Sequence, residues 1–387
     1  MMTTTLLDLT DEQQALIEVC HDFAERELRP VARDYDDDHE HPDPTPLLHR
    51  AAELGLPSFS LPAEYGGGGI EDVFTSCLVS EELSWGDDAL ASLLCSGGFF
   101  AHTVIALGTD EQKRRWVPPL CGPRPVFAAL ATTEPGAGSD AASITTHARR
   151  VDGGYVLNGQ KTWISNAPIA EYFIVFATVA PGTRSRGVTA FVIEKDAEGF
   201  AVGPPMAKLG QRAIPTAELF LQDCFVPDDQ RIGEEGQGFY GLMETFDASR
   251  ITLAASAVGA GRAAVEYALA YAKERHAFGR PIADFQAVSF RLADAALKVD
   301  PARLITHHAA RLFDAGRPAA KEAAMAKLAA SEAASFAADA CVKTLGGYGY
   351  SPEYPAEKWL RDAKLHELWE GTSDIMRLIV ARELLKD

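Results

Sequence analysis

From Gly238 onward the chain is built of alanine-rich segments, roughly 240–274, 284–314, 319–345 and 372–385, each longer than the ~11 residues of an average helix. Long helices with small apolar residues bury their faces against one another, which predicts an antiparallel four-helix bundle. The first third is helical by pattern as well. Thr10-Asp11-Glu12-Gln13 and Thr109-Asp110-Glu111-Gln112 are capping boxes that open helices, and stretches around 46–55, 71–85 and 88–107 look helical, broken by HPDPTP and EYGGGG. Between the two helical parts the texture changes. A link at Pro118, Pro119, Pro123 and Pro125 leads into short β-favouring runs (VFAALAT, YVLNG, KTWIS, YFIVFATV, GVTAFVIEK, AELFL). Turn signals at Asp152-Gly153-Gly154 and Asn158-Gly159 punctuate them. The expected architecture is α+β and multidomain: an all-helical part over 1–122, a β-sheet or barrel over 123–232 and the helical bundle over 233–387.

Charge narrows the range of partners. Among 387 residues, 36 Lys and Arg face 55 Asp and Glu, and the net charge of −19 repels nucleic-acid phosphates and anionic membranes. The most basic runs, Lys113-Arg114-Arg115 and Arg149-Arg150, are short and read as solvated faces. No stretch of about 18 apolar residues occurs, and the N-terminal MMTTTLLDLTDEQ turns acidic where a signal peptide needs its apolar run. The six cysteines are scattered without a CxxC pair, the pattern of reduced thiols in a cytoplasm. His307 and His308 are adjacent on a helix and face different ways, and the two histidines of HEHPDP lack further ligands, so no metal centre is expected.

The stretch LWEGTSDIMRL, 368–378, sets Glu370 beside Trp369 and ahead of a Gly-Thr-Ser turn into the last helix. On its own this is an ordinary helix start, with Thr372 or Ser373 as the cap and Glu370 near the positive end of the helix dipole. Three glycine-containing segments, TTEPGAGSD (132–140), RHAFGRP (275–281) and LGGYGY (345–350), let backbone amides approach a phosphate or flat ring, yet each singly is a turn. No GxGxxG opens a βαβ unit and no P-loop is present, which disfavours a nicotinamide or nucleoside triphosphate site. Taken singly, Arg250 reads as a helix ion-pair partner and Trp163 as a core aromatic.

Read in order, EYGGGG, TEPGAGSDA, LNGQKTWISNA, FDASR, RHAFGRPIADFQ, LGGYGYSPEYPAEKWLRDAKL and WEGTSDIMRL resemble the acyl-CoA dehydrogenase family of flavoproteins along essentially the whole chain. The resemblance implies a helical domain, a β domain and a C-terminal bundle, with FAD at their junction and shared across subunits of a homotetramer built as a dimer of dimers. By position, Leu130 to Ser139 would wrap the flavin and its pyrophosphate, including Thr132, Thr133 and Gly138. Trp163 and Ser165 would cover one ring face. Arg275, Phe278, Gln286, Gly346 and Gly347 would hold the ADP half in a neighbouring subunit's pocket, and Thr372 and Asp374 complete the cofactor set. Ser139, Ser185, Asp247, Arg250 and Arg382 match contacts to coenzyme A, with Trp369 and Gly371 beside the acyl group. At Lys343 many relatives carry a glutamine that reaches FAD; a lysine there meets the pyrophosphate or points to solvent.

The chemistry implied is removal of hydrogen from Cα and Cβ of a thioester. It requires a base, a polarised carbonyl and a hydride acceptor, and only a cofactor supplies the last. Glu370 stands at the family's base position, where an apolar cleft raises a carboxylate's pKa, and its backbone amide would polarise the carbonyl. Relatives with the base elsewhere carry it immediately before the arginine of FDASR; here that residue is Ser249, which cannot substitute. The implied substrate is an acyl-CoA or acyl-carrier-protein thioester, and electrons would pass to an electron-transferring flavoprotein. Two alternatives stay open: an oxidase-type relative that hands electrons to oxygen, and a non-catalytic protein of the same fold. The bulk of Trp369 suggests short or compact acyl groups.

Overall fold

The computed structural model describes residues 9–36 and 42–386, apart from the side chains of Glu244 and Asp247. His39 and His41 of the HEHPDP loop and the Asp247 side chain therefore lie outside the described residues. Both capping boxes form. Thr10 and Gln13 exchange bonds at the start of α1 (Asp11–Phe23), and Thr109 and Gln112 do so at the start of α5 (Asp110–Trp116). Between them lie α2 (Thr45–Glu53), α3 (Val73–Cys95) and α4 (Gly97–Leu107). Where the sequence suggests a break between 85 and 88, α3 instead continues across a kink. Asp87 there is extended (φ −156°, ψ 119°), and its carboxylate caps the resumed helix by accepting from the Leu90 N–H at 3.0 Å.

The middle of the chain forms one eight-stranded mixed sheet rather than a barrel. Its strands are β1 (Ala128–Ala131), β2 (His147–Val151), β3 (Gly154–Ser165), β4 (Tyr172–Thr178), β5 (Val188–Glu194), β6 (Phe200–Val202), β7 (Thr216–Pro227) and β8 (Arg231–Ile232). The order is β6-β7-β3-β2-β4-β5-β8, with β1 running parallel against β4 from Ala128↔Tyr172 to Ala131↔Val175. Asn158-Gly159 is not a hairpin turn. The runs YVLNG and KTWIS are a single strand, β3, and the Asn-Gly pair sits at a bulge where the register against β7 slips between Leu157 and Gly159. A Cβ at Gly159 would lie 2.4 Å from the Thr146 hydroxyl, so close backbone approach explains the glycine.

The bundle consists of α6 (Gly238–Glu274), the two-residue strands β9 (His276–Ala277) and β10 (Arg280–Pro281), α7 (Gln286–Asp314), α8 (Ala320–Leu345) and α10 (Ser373–Leu384). The sequence did not reveal α9 (Ala356–His366), a short helix packed on α8. Small side chains permit close crossings: at Gly259 of α6 a Cβ would meet the Glu81 carbonyl of α3 at 2.1 Å. One apolar core runs through α1, α3 and the bundle, and two further cores line the faces of the sheet.

A buried polar cluster ties the three parts together just before the last helix. Lys358 Nζ of α9 donates to Asp87 at 2.5 Å and to Asp362 at 2.7 Å. The Gln211 N–H donates to Asp362 at 2.5 Å, its side-chain amide donates to Asp88, and His366 Nε2 lies 2.8 Å from Asp88. These charges are paired and bonded, as buried charges must be. The cluster thereby fixes where α9 ends and the 367–372 turn begins.

Candidate active site

That turn is where backbone geometry departs from the helices around it. Glu370 is left-handed (φ 53°), an unfavourable conformation for a residue with a Cβ, and Gly371 follows at φ 100°. Thr372 then caps α10, accepting from the Ile375 N–H at 3.3 Å. The bland expectation for Thr372 thus holds, and the unusual residue is Glu370. Four contacts hold it in place. The Ser249 hydroxyl on α6 donates to Glu370 Oε2 at 3.3 Å, and Arg250 Nε donates to the Glu370 carbonyl at 3.1 Å. Lys327 Nζ on α8 donates to the Gly371 carbonyl at 2.6 Å, and the Ser373 N–H closes the loop onto the Glu367 carbonyl at 2.9 Å.

Glu370 is half-buried, open on one side, yet the protein around its carboxyl displaces water. Burial pushes its pKa up; Arg250, the Ser249 bond and Lys327 pull against that shift without cancelling it. Among the described residues the Glu370 N–H has no acceptor. It is a free donor next to a poorly hydrated carboxylate. Trp369 packs edge-on against His366, ring centroids 5.4 Å apart, and its buried indole N–H finds no partner among the described residues.

The other predicted residues fall into three groups. Leu130 lies on β1 opposite Ile174, and the segment after it is pinned to β3 by the Thr162 N–H, which donates to the Thr133 carbonyl at 3.0 Å. This brings Thr132 and Thr133 alongside Trp163, which is left-handed (φ 60°) with 56% of its surface exposed, and Ser165 ends the same strand. Beneath them runs a buried pair that sequence reasoning did not identify. Lys161 Nζ donates to the Thr132 carbonyl at 3.0 Å and to Glu134 at 2.7 Å, while Glu134 accepts from Thr145 and Thr146. Burial raises the Glu134 pKa, but the Lys161 charge and these bonds outweigh it and hold the carboxyl at about 2.

In the second group, exposed Gly138 and Ser139 sit near Ser185, because Asp140 pairs with Arg184 at 2.6 Å. Arg382 is exposed on α10 and reaches only Glu383 among the described residues, and Asp374 pairs with Arg377. In the third, Arg275 and Gly347 line one open pocket of ≈ 510 Å³ with Tyr271, Thr344 and Tyr348. Gly346 adjoins it, Gln286 begins α7, and Phe278 at the β9–β10 tip is 96% exposed. Lys343 is exposed and pairs with Asp339 one turn earlier at 2.6 Å, so in this chain its charge already has a partner.

FAD fits the first group. Thr132 Oγ1 is buried with no partner among the described residues, and an exposed left-handed indole stands beside it, a polar orphan next to a flat apolar face. A Cβ at Gly136 or Gly138 would meet no atom of this chain, so the loop has room over it. This helix–sheet–helix order is that of a three-domain acyl-CoA dehydrogenase. Profiles described as "Acyl-CoA dehydrogenase" match in order: the N-terminal domain over residues 10–123, the middle domain over 129–224 and the C-terminal domain over 236–385. The mitochondrial short-chain specific acyl-CoA dehydrogenase of Rattus norvegicus is 39% identical over 381 residues, 98% of this chain and 92% of the relative. Butyryl-CoA dehydrogenase from Megasphaera elsdenii has the same structure at a TM-score of 0.93 and 36% identity, over 98% of this chain and 100% of that chain. A chain solved in work on the electron transferring flavoprotein of Acidaminococcus fermentans gives a TM-score of 0.94 at 38% identity, with 98% and 100% covered. The chain belongs to the acyl-CoA dehydrogenase family, whose members are FAD-dependent oxidoreductases.

Proposed function

We propose that the chain converts a short acyl-CoA thioester to its trans-2-enoyl-CoA, with Glu370 as the base that takes the α-proton. The observation that carries this reading is the Glu370 turn: a desolvated carboxylate and an unpaired N–H presented by one strained residue. Poor hydration makes the carboxylate a stronger base than an exposed one. In a thioester whose carbonyl accepted from this N–H, the charge that develops as the α-proton leaves would be stabilised. FAD, held by the Leu130–Ser139 segment and Trp163, supplies the hydride acceptor when bound. Ser139 and Ser185 face the coenzyme A portion in this reading. Arg250 positions Glu370 by its carbonyl, a contact the coenzyme A role expected for it did not include.

The short chain is supported by Trp369 beside the base and by likeness to a short-chain specific and a butyryl-CoA enzyme. The third group of residues and an exposed stripe of Phe290, Leu297 and Leu304 along α7 support a homotetramer in which Arg275 and Gly347 serve a neighbour's FAD. Electron-transferring flavoprotein as the acceptor and a cytoplasmic location complete the proposal. Anaerobic titration with butyryl-CoA tests it: the wild-type flavin should bleach, whereas Glu370→Gln should keep its FAD and neither bleach nor exchange the substrate α-proton with deuterated water. Near-normal turnover by that variant overturns the base assignment. Hydrogen peroxide formed in step with enoyl product, with no benefit from added electron-transferring flavoprotein, would identify an oxidase instead.

A further inference from the structure

Lys327 lies on the inward stripe of α8, in helical register with buried Ala323, Ala330 and Ala334, and only 2% of it is exposed. Buried lysines are normally neutralised by a carboxylate within bonding distance. Lys358 and Lys161 in this protein are. Lys327 differs: the one hydrogen-bond partner of its ammonium among the described residues is an uncharged one, the Gly371 carbonyl at 2.6 Å. A buried ammonium without an ion pair is costly, and packing alone would favour a methionine or leucine there. Its charge must therefore act on something close by.

We infer that Lys327 is a positioning residue for the base: its ammonium clamps the left-handed Glu370–Gly371 turn by the Gly371 carbonyl and sets a positive charge beside the Glu370 carboxylate. The inference rests on the reading of Glu370 as the base. Arg250 from α6 holds the carbonyl of Glu370 and Lys327 from α8 holds that of the next residue, so two cations on opposite elements grip consecutive peptide units. Among the described residues the other charged groups around the turn are already engaged. Glu367 bonds Ser335 and Lys364, Glu332 and Asp374 pair with Arg377, and His366 pairs with Asp88. Burial lowers the Lys327 pKa to about 8, Glu370 pulling it up and Arg250 down. Lys327 therefore keeps its charge below about pH 8, and that charge favours the carboxylate form of Glu370.

The test compares FAD-loaded wild type with Lys327→Met, which keeps the stem, Lys327→Gln, which keeps a donor without charge, and Lys327→Arg, which keeps the charge. Two quantities are read against pH: the acid limb of kcat/KM with butyryl-CoA, and the infrared carboxyl band of substrate-free enzyme that Glu370→Gln lacks. In Lys327→Met both midpoints should rise together by about one pH unit, a roughly tenfold loss of kcat/KM on the acid side. Lys327→Gln should show the same rise with a smaller loss of kcat, and Lys327→Arg should return both midpoints to within a few tenths of wild type. If Lys327→Met does not fold, Lys327→Gln decides the question. Unchanged midpoints in folded, yellow variants overturn the role of Lys327, even if FAD content or melting temperature falls. Activity retained by Glu370→Gln would instead remove the base assignment beneath it.

Discussion

Removing the Lys161 ammonium should loosen the segment that carries Thr132 and Thr133 far more than removing the whole ion pair. Lys161 and Glu134 are both buried, 2.7 Å apart. Glu134 sits at about 2 against an ordinary 4.5, which is worth about 3 kcal/mol at neutral pH. Lys161 moves the opposite way. Burial lowers it from 10.5 to about 8 despite Glu134, a cost of about 3 kcal/mol while it is charged. Each shift contains the same Glu134–Lys161 attraction, so the two do not add; the pair's specific value lies in neither charge being left alone. Lys161→Met strands the carboxylate with its bonds from Thr145 and Thr146, at the lower end of the ~3–5 kcal/mol typical of a broken buried pair. Adding Glu134→Gln removes the stranded charge and should return stability to within about 1 kcal/mol of wild type. Urea titration of the FAD-loaded protein, followed by flavin release and circular dichroism, reads all four corners of the cycle. A pH series supplies a second check. Because the folded pKa of Glu134 lies below its unfolded value, its contribution is present above pH 4.5 and is lost as pH falls through about 2, so Lys161→Met should lack that acid loss. A single variant within about 0.5 kcal/mol of wild type, or a double variant as unstable as the two singles added, would refute the reasoning.

Two further perturbations probe the turn and the cleft. Gly371→Ala places a Cβ at φ 100°, 2.6 Å from the buried Met376 side chain, and should cost about 1–3 kcal/mol and at least ~tenfold in kcat; kcat within twofold of wild type would show that the turn tolerates strain. Trp369→Phe frees space beside the base, and the ratio of octanoyl-CoA to butyryl-CoA kcat/KM should rise by about tenfold, in the range of methylene-sized pocket changes. An unchanged ratio would show that chain length is set elsewhere.

What was legible in the sequence was whatever is encoded locally. The capping boxes at Thr10 and Thr109, the alanine-rich helices and the β-favouring runs each carry their signal within one or two turns of chain, and all appear in the fold. The Asn-Gly pair at 158–159 misled because the same dipeptide serves a hairpin and a bulge, and the choice depends on Thr146 of a neighbouring segment. Glu370 stood out in the sequence through the motif around it, and the structure gives it an unusual backbone and a desolvated carboxyl. Lys161 and Lys327 did not stand out, since their partners Glu134 and Gly371 stand 27 and 44 residues away in the chain. One signal was nevertheless available: a lysine in register with the alanines of a buried helical stripe, as Lys327 is, breaks the apolar pattern and requires an explanation.

The two lysines also show how irregular backbone is held rigid where helices and strands cannot do it. The segment after β1 and the turn before α10 both leave regular structure, so some of their carbonyls lack ladder partners. In each case a lysine from a neighbouring regular element fills the gap: Lys161 of β3 donates to the Thr132 carbonyl and Lys327 of α8 to the Gly371 carbonyl. A charge-assisted donor in a dry interior binds a carbonyl more strongly than a neutral donor does, and a stem packed on all sides leaves the ammonium little freedom. The scaffold's stiffness thereby reaches the residues proposed to cradle the cofactor and to take the proton. The Glu134 carboxylate neutralises the first lysine within the protein. The second has no such partner among the described residues, and the carboxylate it acts on is that of the proposed base. Its charge is therefore free to stabilise Glu370 as the anion before proton transfer, a contribution that weakens once the base is protonated.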